Sequence, residues 1–273
     1  MAFTFNGIDL ASSCGLLPGQ ISGGNIALQG CFDMPARIGD VSHEWGDEDG
    51  AEIYTDADEL FFGGRDITFE GLIIGDRPAV YSAMESIASA LTTPSGVAVL
   101  STPYGDFNVY PKMSEPQHFR DISKLKIEFR EPVPDLSGGT VPGTSSDPYT
   151  IDGVPMSSFG LYAVTYSNIV GLAEMKEQKF TKIESEGYQI AKRRPLKIEF
   201  SGLLLADNLT DFKANIKNLY ALFSSEGERT FVFRNQVTIV GVPLEGFKVE
   251  KVLVANNGVA ATLKTNITVI SIA

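Results

Sequence analysis

Two cysteines, two histidines and one dense run of carboxylates are the residues of this 273-residue sequence best suited to chemistry. The carboxylates lie between Gly46 and Leu60: Asp47, Glu48, Asp49, Glu52, Asp56, Asp58 and Glu59, with no basic residue among them. Hard cations take oxygen ligands, so Asp47, Asp49, Glu52 and Asp56 could hold calcium. The full alternating ligand loop and its terminal Glu are missing, which favours an acidic interface or a solvated loop over a metal site. Zinc would need Cys14, Cys31, His43 and His118, four scattered ligands without paired spacing. The two histidines therefore read as surface or interface residues. Cys14 and Cys31 read as free thiols of a reducing compartment, with one bridge between them as the other possibility. There is no Gly-x-Ser-x-Gly and no P-loop, and Gly63-Gly64-Arg65 reads as a turn between strands. No pair of acids is singled out for glycoside cleavage. Asn208-Leu-Thr210 and Asn266-Ile-Thr268 match glycosylation acceptors, which a cytosolic origin would leave unused. The expectation is a protein without catalytic residues, metal or cofactor.

A second charged stretch answers the first. Lys176, Lys179, Lys182, Lys192, Arg193 and Arg194 stand among fewer acids. Through Asp135 the chain has 8 Lys plus Arg against 21 Asp plus Glu, a net of −13; the remainder has 14 against 13, a net of +1. One reading is two solvated loops. The other is an acidic arm meeting a basic arm of the same or a neighbouring subunit, the neighbour being favoured because long arms between strands connect subunits. Opposed charge of this kind sets register and partner choice more than affinity.

The overall net of −12 argues against nonspecific binding along a nucleic-acid backbone. A content of 43% hydrophobic and 21% charged residues excludes wholesale disorder. No apolar run reaches the roughly 18 residues of a membrane span. Met1–Gly7 lacks the basic flank and apolar core of a secretory signal, so synthesis in a cytosol is expected.

The elements that would position these residues fall into two sets. Pro132–Pro148, rich in Pro, Gly and Ser, reads as a linker, giving domains over 1–133 and 149–273 joined by 134–148. The halves share an order of motifs. Phe5-Asn6-Gly7-Ile8 is answered by Ile151-Asp152-Gly153-Val154, and Gly15-Leu16 by Gly160-Leu161. The run from Arg65 through Phe69-Glu70-Gly71 to Asp76 is answered by the run from Arg194 through Phe200-Ser201-Gly202 to Asp207. Such order indicates duplication. A helix is expected after Asp76 with Val80, Met84, Ile87 and Leu91 on one face, stopped by Pro94. Its counterpart carries Leu209, Phe212, Ile216, Leu219 and Phe223 and ends before Gly227. Strands alternate: Leu125, Ile127 and Phe129 inward with charges between, and Phe247–Ala255 against Val259–Ile272 around an Asn-Gly turn. The fold class expected is mainly β, two tandem β-sandwich or barrel domains, each with one packed α-helix.

The first half resembles a family. Phe5–Leu17, Met34-Pro-Ala-Arg37, Trp45 with Gly50, Gly64–Gly71, Leu91–Gly96, Val99-Leu100 and Pro103-Tyr-Gly105 occur in the order seen in the belt domain of distal tail proteins of long-tailed bacteriophages, and of the related tail-tube-fold baseplate hub proteins. The second half is similar more faintly, without a Trp and with Pro195 after Arg194. The resemblance makes the two expected domains tail-tube-like and implies a virion protein of the tail tip, assembled in the host bacterial cytoplasm. It implies a homo-oligomeric ring, a hexamer or a pseudo-hexameric trimer, contacting the tail tube protein and receptor-binding proteins. DNA would pass as cargo, with no membrane insertion. The alternative is a carbohydrate-binding β-sandwich module, for which Tyr104, Phe107 and Tyr110 would be the exposed aromatics. A cell-wall hydrolase is a further alternative.

Overall fold

The computed structural model describes residues 2–92, 94–118, 122–167, 172–181, 186–234 and 237–273. The chain is mainly β, with two large antiparallel sheets. The first half contains β1 (Thr4–Phe5), β2 (Ile8–Asp9), the one-turn α1 (Leu10–Cys14), β3 (Leu17–Pro18) and β4 (Leu28–Gln29). An arm follows, made of β5 (Arg37–Ile38), β6 (Ser42–His43), β7 (Glu52–Ile53) and β8 (Phe61–Phe62). Then come β9 (Arg65–Ile74), α2 (Arg77–Thr92), β10 (Ala98–Thr102), β11 (Gly105–His118) and β12 (Ile122–Glu131). The second half contains β13 (Thr150–Ile151), β14 (Val154–Pro155), β15 (Leu161–Tyr166), the hairpin β16 (Met175–Thr181) and β17 (Glu186–Arg193), and β18 (Lys197–Ala206). It closes with α3 (Leu209–Phe223), β19 (Arg229–Val232), β20 (Thr238–Val242), β21 (Phe247–Ala255) and β22 (Gly258–Ile272).

The two sheets have one topology. The first runs β2-β1-β10-β11-β12-β9-β3 and the second β14-β13-β19-β20-β22-β18-β15. Their opening turns match in backbone angle: Asn6 and Gly7 have φ of 49° and 76°, Asp152 and Gly153 have 53° and 76°. Positive φ at two successive residues is what a tight two-residue hairpin demands, and Asn, Asp and Gly tolerate it best. A single helical turn follows each hairpin, α1 in one case and a 3-10 turn at Met156–Phe159 in the other. Gly15 and Gly160 end these turns at φ of 68° and 69°. The match continues in packing. A Cβ on Gly71 would meet Leu16 Cδ1 at 2.5 Å, and one on Gly202 would meet Leu161 Cδ1 at 2.7 Å. Both glycines exist so that a leucine can lie across the strand.

The helices form where expected. The Asp76 carboxylate accepts from the Ala79 amide at the start of α2, and Asn208 accepts from the Asp211 amide at the start of α3. Val80, Ile87 and Leu91 are buried, as are Phe212, Ile216, Leu219 and Phe223, while Met84 and Leu209 are partly buried against the same core. The alternation on β12 is as expected, with Leu125, Ile127 and Phe129 buried. Three expectations shift. The turn between β21 and β22 consists of Asn256-Asn257, because Ala255 pairs with Gly258, which opens the strand. Arg194 is not the counterpart of Arg65: the Gly71–Gly202 match puts Leu196 there, and Arg194 lies before β18 with an exposed side chain. The single β11 of the first half corresponds to β20 plus β21 in the second, interrupted at 243–246.

That interruption is where the halves meet. Met34 bridges to Phe247, Arg37 N donates to Leu244 O at 2.8 Å, and Val249 N donates to Asp33 Oδ1 at 2.8 Å. Gly246, at φ 67°, lies so close that a Cβ would reach Met34 O at 2.2 Å. Phe32 packs edge-on against Phe212 with ring centroids 5.2 Å apart, so the two hydrophobic cores are continuous. The Pro/Gly/Ser-rich segment is ordered against α3: Thr140 N donates to Asn218 Oδ1 at 2.9 Å, and Leu136 packs on the core. Its composition leaves little apolar surface beyond Leu136 to bury, and α3 supplies the partner that holds it.

Candidate functional site

Two sites stand out, the arm and the junction between the halves. The arm is two stacked short ladders, β5 against β8 and β6 against β7, with its tip at 44–51. At the tip, Trp45 Nε1 donates to Glu52 Oε2 at 3.1 Å and the His43 and Trp45 rings meet edge-on at 4.2 Å. The tip lies on the base of the β16–β17 hairpin of the same chain. Lys176 Nζ donates to three main-chain oxygens, of Trp45 at 2.8 Å, Gly50 at 2.9 Å and Glu48 at 3.0 Å. Arg193 N donates to Asp49 Oδ1 at 2.7 Å, and Gly50 N donates to Arg193 O at 2.9 Å. Lys192 lies 3.9 Å from Asp49, and Arg194 lies 4.0 Å from Glu44 and 3.7 Å from Glu174. Ion pairs so exposed contribute little, roughly 0–1 kcal/mol each. The ammonium saturated by three carbonyls is the stronger element, because it fixes the loop's backbone.

The charged residues thus divide. Asp49, Lys176, Lys192 and Arg193 come together, with Glu48 contributing its carbonyl oxygen and Glu52 bracing Trp45. Asp47 is exposed and Arg194 reaches Glu44 rather than the carboxylate run. Asp56 precedes the short 3-10 turn 57–59, whose first turn holds Asp58 and Glu59. Lys179 is on β16, paired with Tyr188, and Lys182 lies outside the described residues. Among the described residues no three His, Cys, Asp or Glu side chains gather as a metal site would require. Arg37, at the root of the arm, is 7% exposed; its Nη2 donates to Tyr54 O, while Nε and Nη1 have no partner.

At the junction a buried polar network joins the halves. Arg65 occupies an inward position of β9 in phase with Ile67 and Phe69. Its Nε donates to Glu131 Oε2 at 2.6 Å, and Nη1 donates to Asp33 O and to Tyr220 Oη, both at 2.9 Å. The Arg65 and Glu131 side chains are only 7% and 5% exposed. The guanidinium also lies 5.5 Å from the Phe107 ring centroid. Burial opposes the Arg65 charge, but Tyr220 and Glu131 outweigh it and raise its pKa. Burial raises Glu131 against the pull of Arg65, pushes Asp33 up to about 6 against the Val249 amide, and pushes Tyr220 up. Beside the network a cleft of about 430 Å³ is lined by Asp33, Arg65, Arg130, Lys248 and Glu250 among others. Its charges of both signs favour no ligand of single charge.

Sequence reasoning did not identify this network. The available signal was the arginine itself, in register with the inward apolar residues of an alternating strand. Cys14 and Cys31 are both buried and free, and burial pushes Cys31 up to about 12, so it stays a thiol. Phe107 is buried and Tyr104 packs on Phe3 and Phe32, leaving Tyr110 as the exposed member of that aromatic trio. None of the helices among the described residues is long and apolar enough to cross a membrane.

No family model matches the chain, and no curated protein matches it. Among solved structures, the crystal structure of the SPP1 Dit (gp 19.1) protein, titled a paradigm of hub adsorption apparatus in Gram-positive infecting phages, is similar over 99% of each chain, at 10% identity and a TM-score of 0.38. A likeness that loose carries no argument about this chain.

Proposed function

We propose that this chain is a structural, non-enzymatic protein of a long-tailed phage tail tip, whose copies close into a ring around the DNA channel between the tail tube and the receptor-binding proteins. The observation that carries the reading is the doubled sheet, one strand order laid down twice with matching turns and registers. A duplicated unit supplies two quasi-equivalent positions per chain, so six positions need three chains, and six chains give twelve positions in two layers. The ordered motifs of the first half, from Phe5 to Gly105, support the family. The net of −13 in that half suits the wall of a passage for DNA, which should repel phosphate rather than grip it. In this reading the arm on the hairpin braces the two units of one chain, and the protein's place is the virion after assembly in the bacterial host.

Mass photometry of the purified chain, with antibody labelling of purified phage particles, tests this. The expectation is a three- or six-chain species and label at the tail tip. A single 29.5-kDa species at every concentration, together with absence from virions, would overturn it.

A further inference from the structure

We propose that copies of this chain join head to tail through an apolar patch that each unit carries at the same place on its sheet, the first-unit patch of one copy meeting the second-unit patch of the next. The inference rests on the ring reading above and names the surface that makes the ring.

The patch follows from register. On β9, Leu72 and Ile74 point outward while Ile73 between them is buried; on β18, Leu203 and Leu205 point outward while Leu204 is buried. Leu17 sits opposite Leu72 as Tyr162 sits opposite Leu203. Ile122 sits opposite Ile74 as Ala260 sits opposite Leu205. Leu17, Ile74, Ile122, Tyr162, Leu203 and Leu205 are between 37% and 62% exposed. Charged residues flank the patches on the same outer faces, Asp66, Glu70, Lys124 and Glu128 on the first sheet and Lys197, Glu199 and Lys264 on the second; Val99 and Tyr110 are further exposed apolar side chains of the first face, and Leu253, opposite Ala260, extends the second patch. One exposed leucine means nothing, but a contiguous apolar patch framed by charge marks an interaction surface. Here it occurs twice, at corresponding register positions, in halves whose other outward residues have diverged.

Repetition of the patch calls for a partner that is itself repeated, which a second copy of this chain is. Charge selects the pairing. First unit against first unit would bring together two halves that each carry a net of −13, whereas first against second brings −13 beside +1. A contact between unlike patches is heterologous, and heterologous contacts are the kind that close rings. Six side chains so exposed leave roughly 500 Å² of apolar surface per chain. That gives each interface an apolar centre of roughly 250 Å² on either side, within the ~800 Å² a side of a standard interface and its polar rim.

The test uses two variants of the full chain, each replacing a cross-strand apolar pair by an opposite-charge pair that the sheet tolerates. They are Ile74→Lys/Ile122→Glu in the first patch and Tyr162→Glu/Leu203→Lys in the second. Circular dichroism and melting temperature should match the wild type, since all four side chains are exposed. Sedimentation velocity should show association weakened about 30-fold or more in either variant alone, the factor of one interface hot spot. An equimolar mixture should form dimers and nothing larger, because one intact pair of unlike patches remains. If a variant alone forms dimers, like patches pair and the head-to-tail arrangement is wrong. If the wild type assembles and both variants assemble equally well, the patch is wrong while the ring stands. A monomeric wild type overturns both.

Discussion

Glu131→Gln should be among the most damaging conservative substitutions in the molecule. Glu131 Oε2 accepts from Arg65 Nε at 2.6 Å, and neither side chain is more than 7% exposed. The amide keeps the volume but removes the charge, leaving a guanidinium whose other acceptors, Asp33 O and Tyr220 Oη, are neutral. Breaking a buried pair by neutralising one partner costs about 3–5 kcal/mol, since the remaining charge has lost its compensation and cannot reach water. At about 2–4 °C per kcal/mol for a chain of this size, the melting temperature should fall by roughly 10 °C. Replacing both partners, Arg65→Met with Glu131→Leu, should recover most of that loss, because no charge is then stranded. Calorimetry and urea unfolding of the single and double variants provide the assay. A single-variant cost below about 1 kcal/mol would show that solvent reaches the pair, and the buried junction as described would be wrong.

Other consequences follow from the same contacts. Asp33, raised to about 6 from an ordinary 3.8, binds its proton in the folded chain while the unfolded chain has released it. Stability should therefore fall as pH rises from about 4 to about 6, by up to roughly 2 kcal/mol given that the residue keeps some solvent contact. Asp33→Asn, which retains the acceptor for the Val249 amide, should flatten that slope in unfolding curves taken across the range. Gly246→Ala would place a Cβ 2.2 Å from Met34 O and strain a φ of 67°; a loss of more than about 2 kcal/mol and faster proteolysis between the halves are expected. Lys176→Met removes three hydrogen bonds from the arm tip, so hydrogen exchange at 45–50 should accelerate while the melting temperature moves by less than about 2 °C.

Much of the fold was legible because duplication leaves matched local signals. Asn6-Gly7 and Asp152-Gly153 announce the same hairpin, and Gly71 and Gly202 mark the same leucine crossing, since positive φ and close approach restrict residue choice. The helices were legible from their apolar stripes and their caps. The arm and the basic hairpin were found by charge, but their contact is made by Lys176 with main-chain carbonyls, whose positions no composition reveals. The tip rests on the hairpin of the same chain, one of the two partners the charge pattern allows. Arg65 and Arg194 look alike in sequence because each stands just ahead of a similar apolar run, but Arg65 opens β9 whereas Arg194 precedes β18, and only the register shows Leu196 as the counterpart. The break between β20 and β21 was invisible for another reason. It exists to receive 33–37 of the first half, a tertiary demand written far away in the chain.

The proposed ring is built from one sheet encoded twice. Rotational averaging of electron micrographs of the assembled protein measures this most directly. Six equivalent sheet units around an open channel in each layer, contributed by three or six chains, is the result expected. Isolated particles of one chain, or assemblies without a central channel, would contradict it.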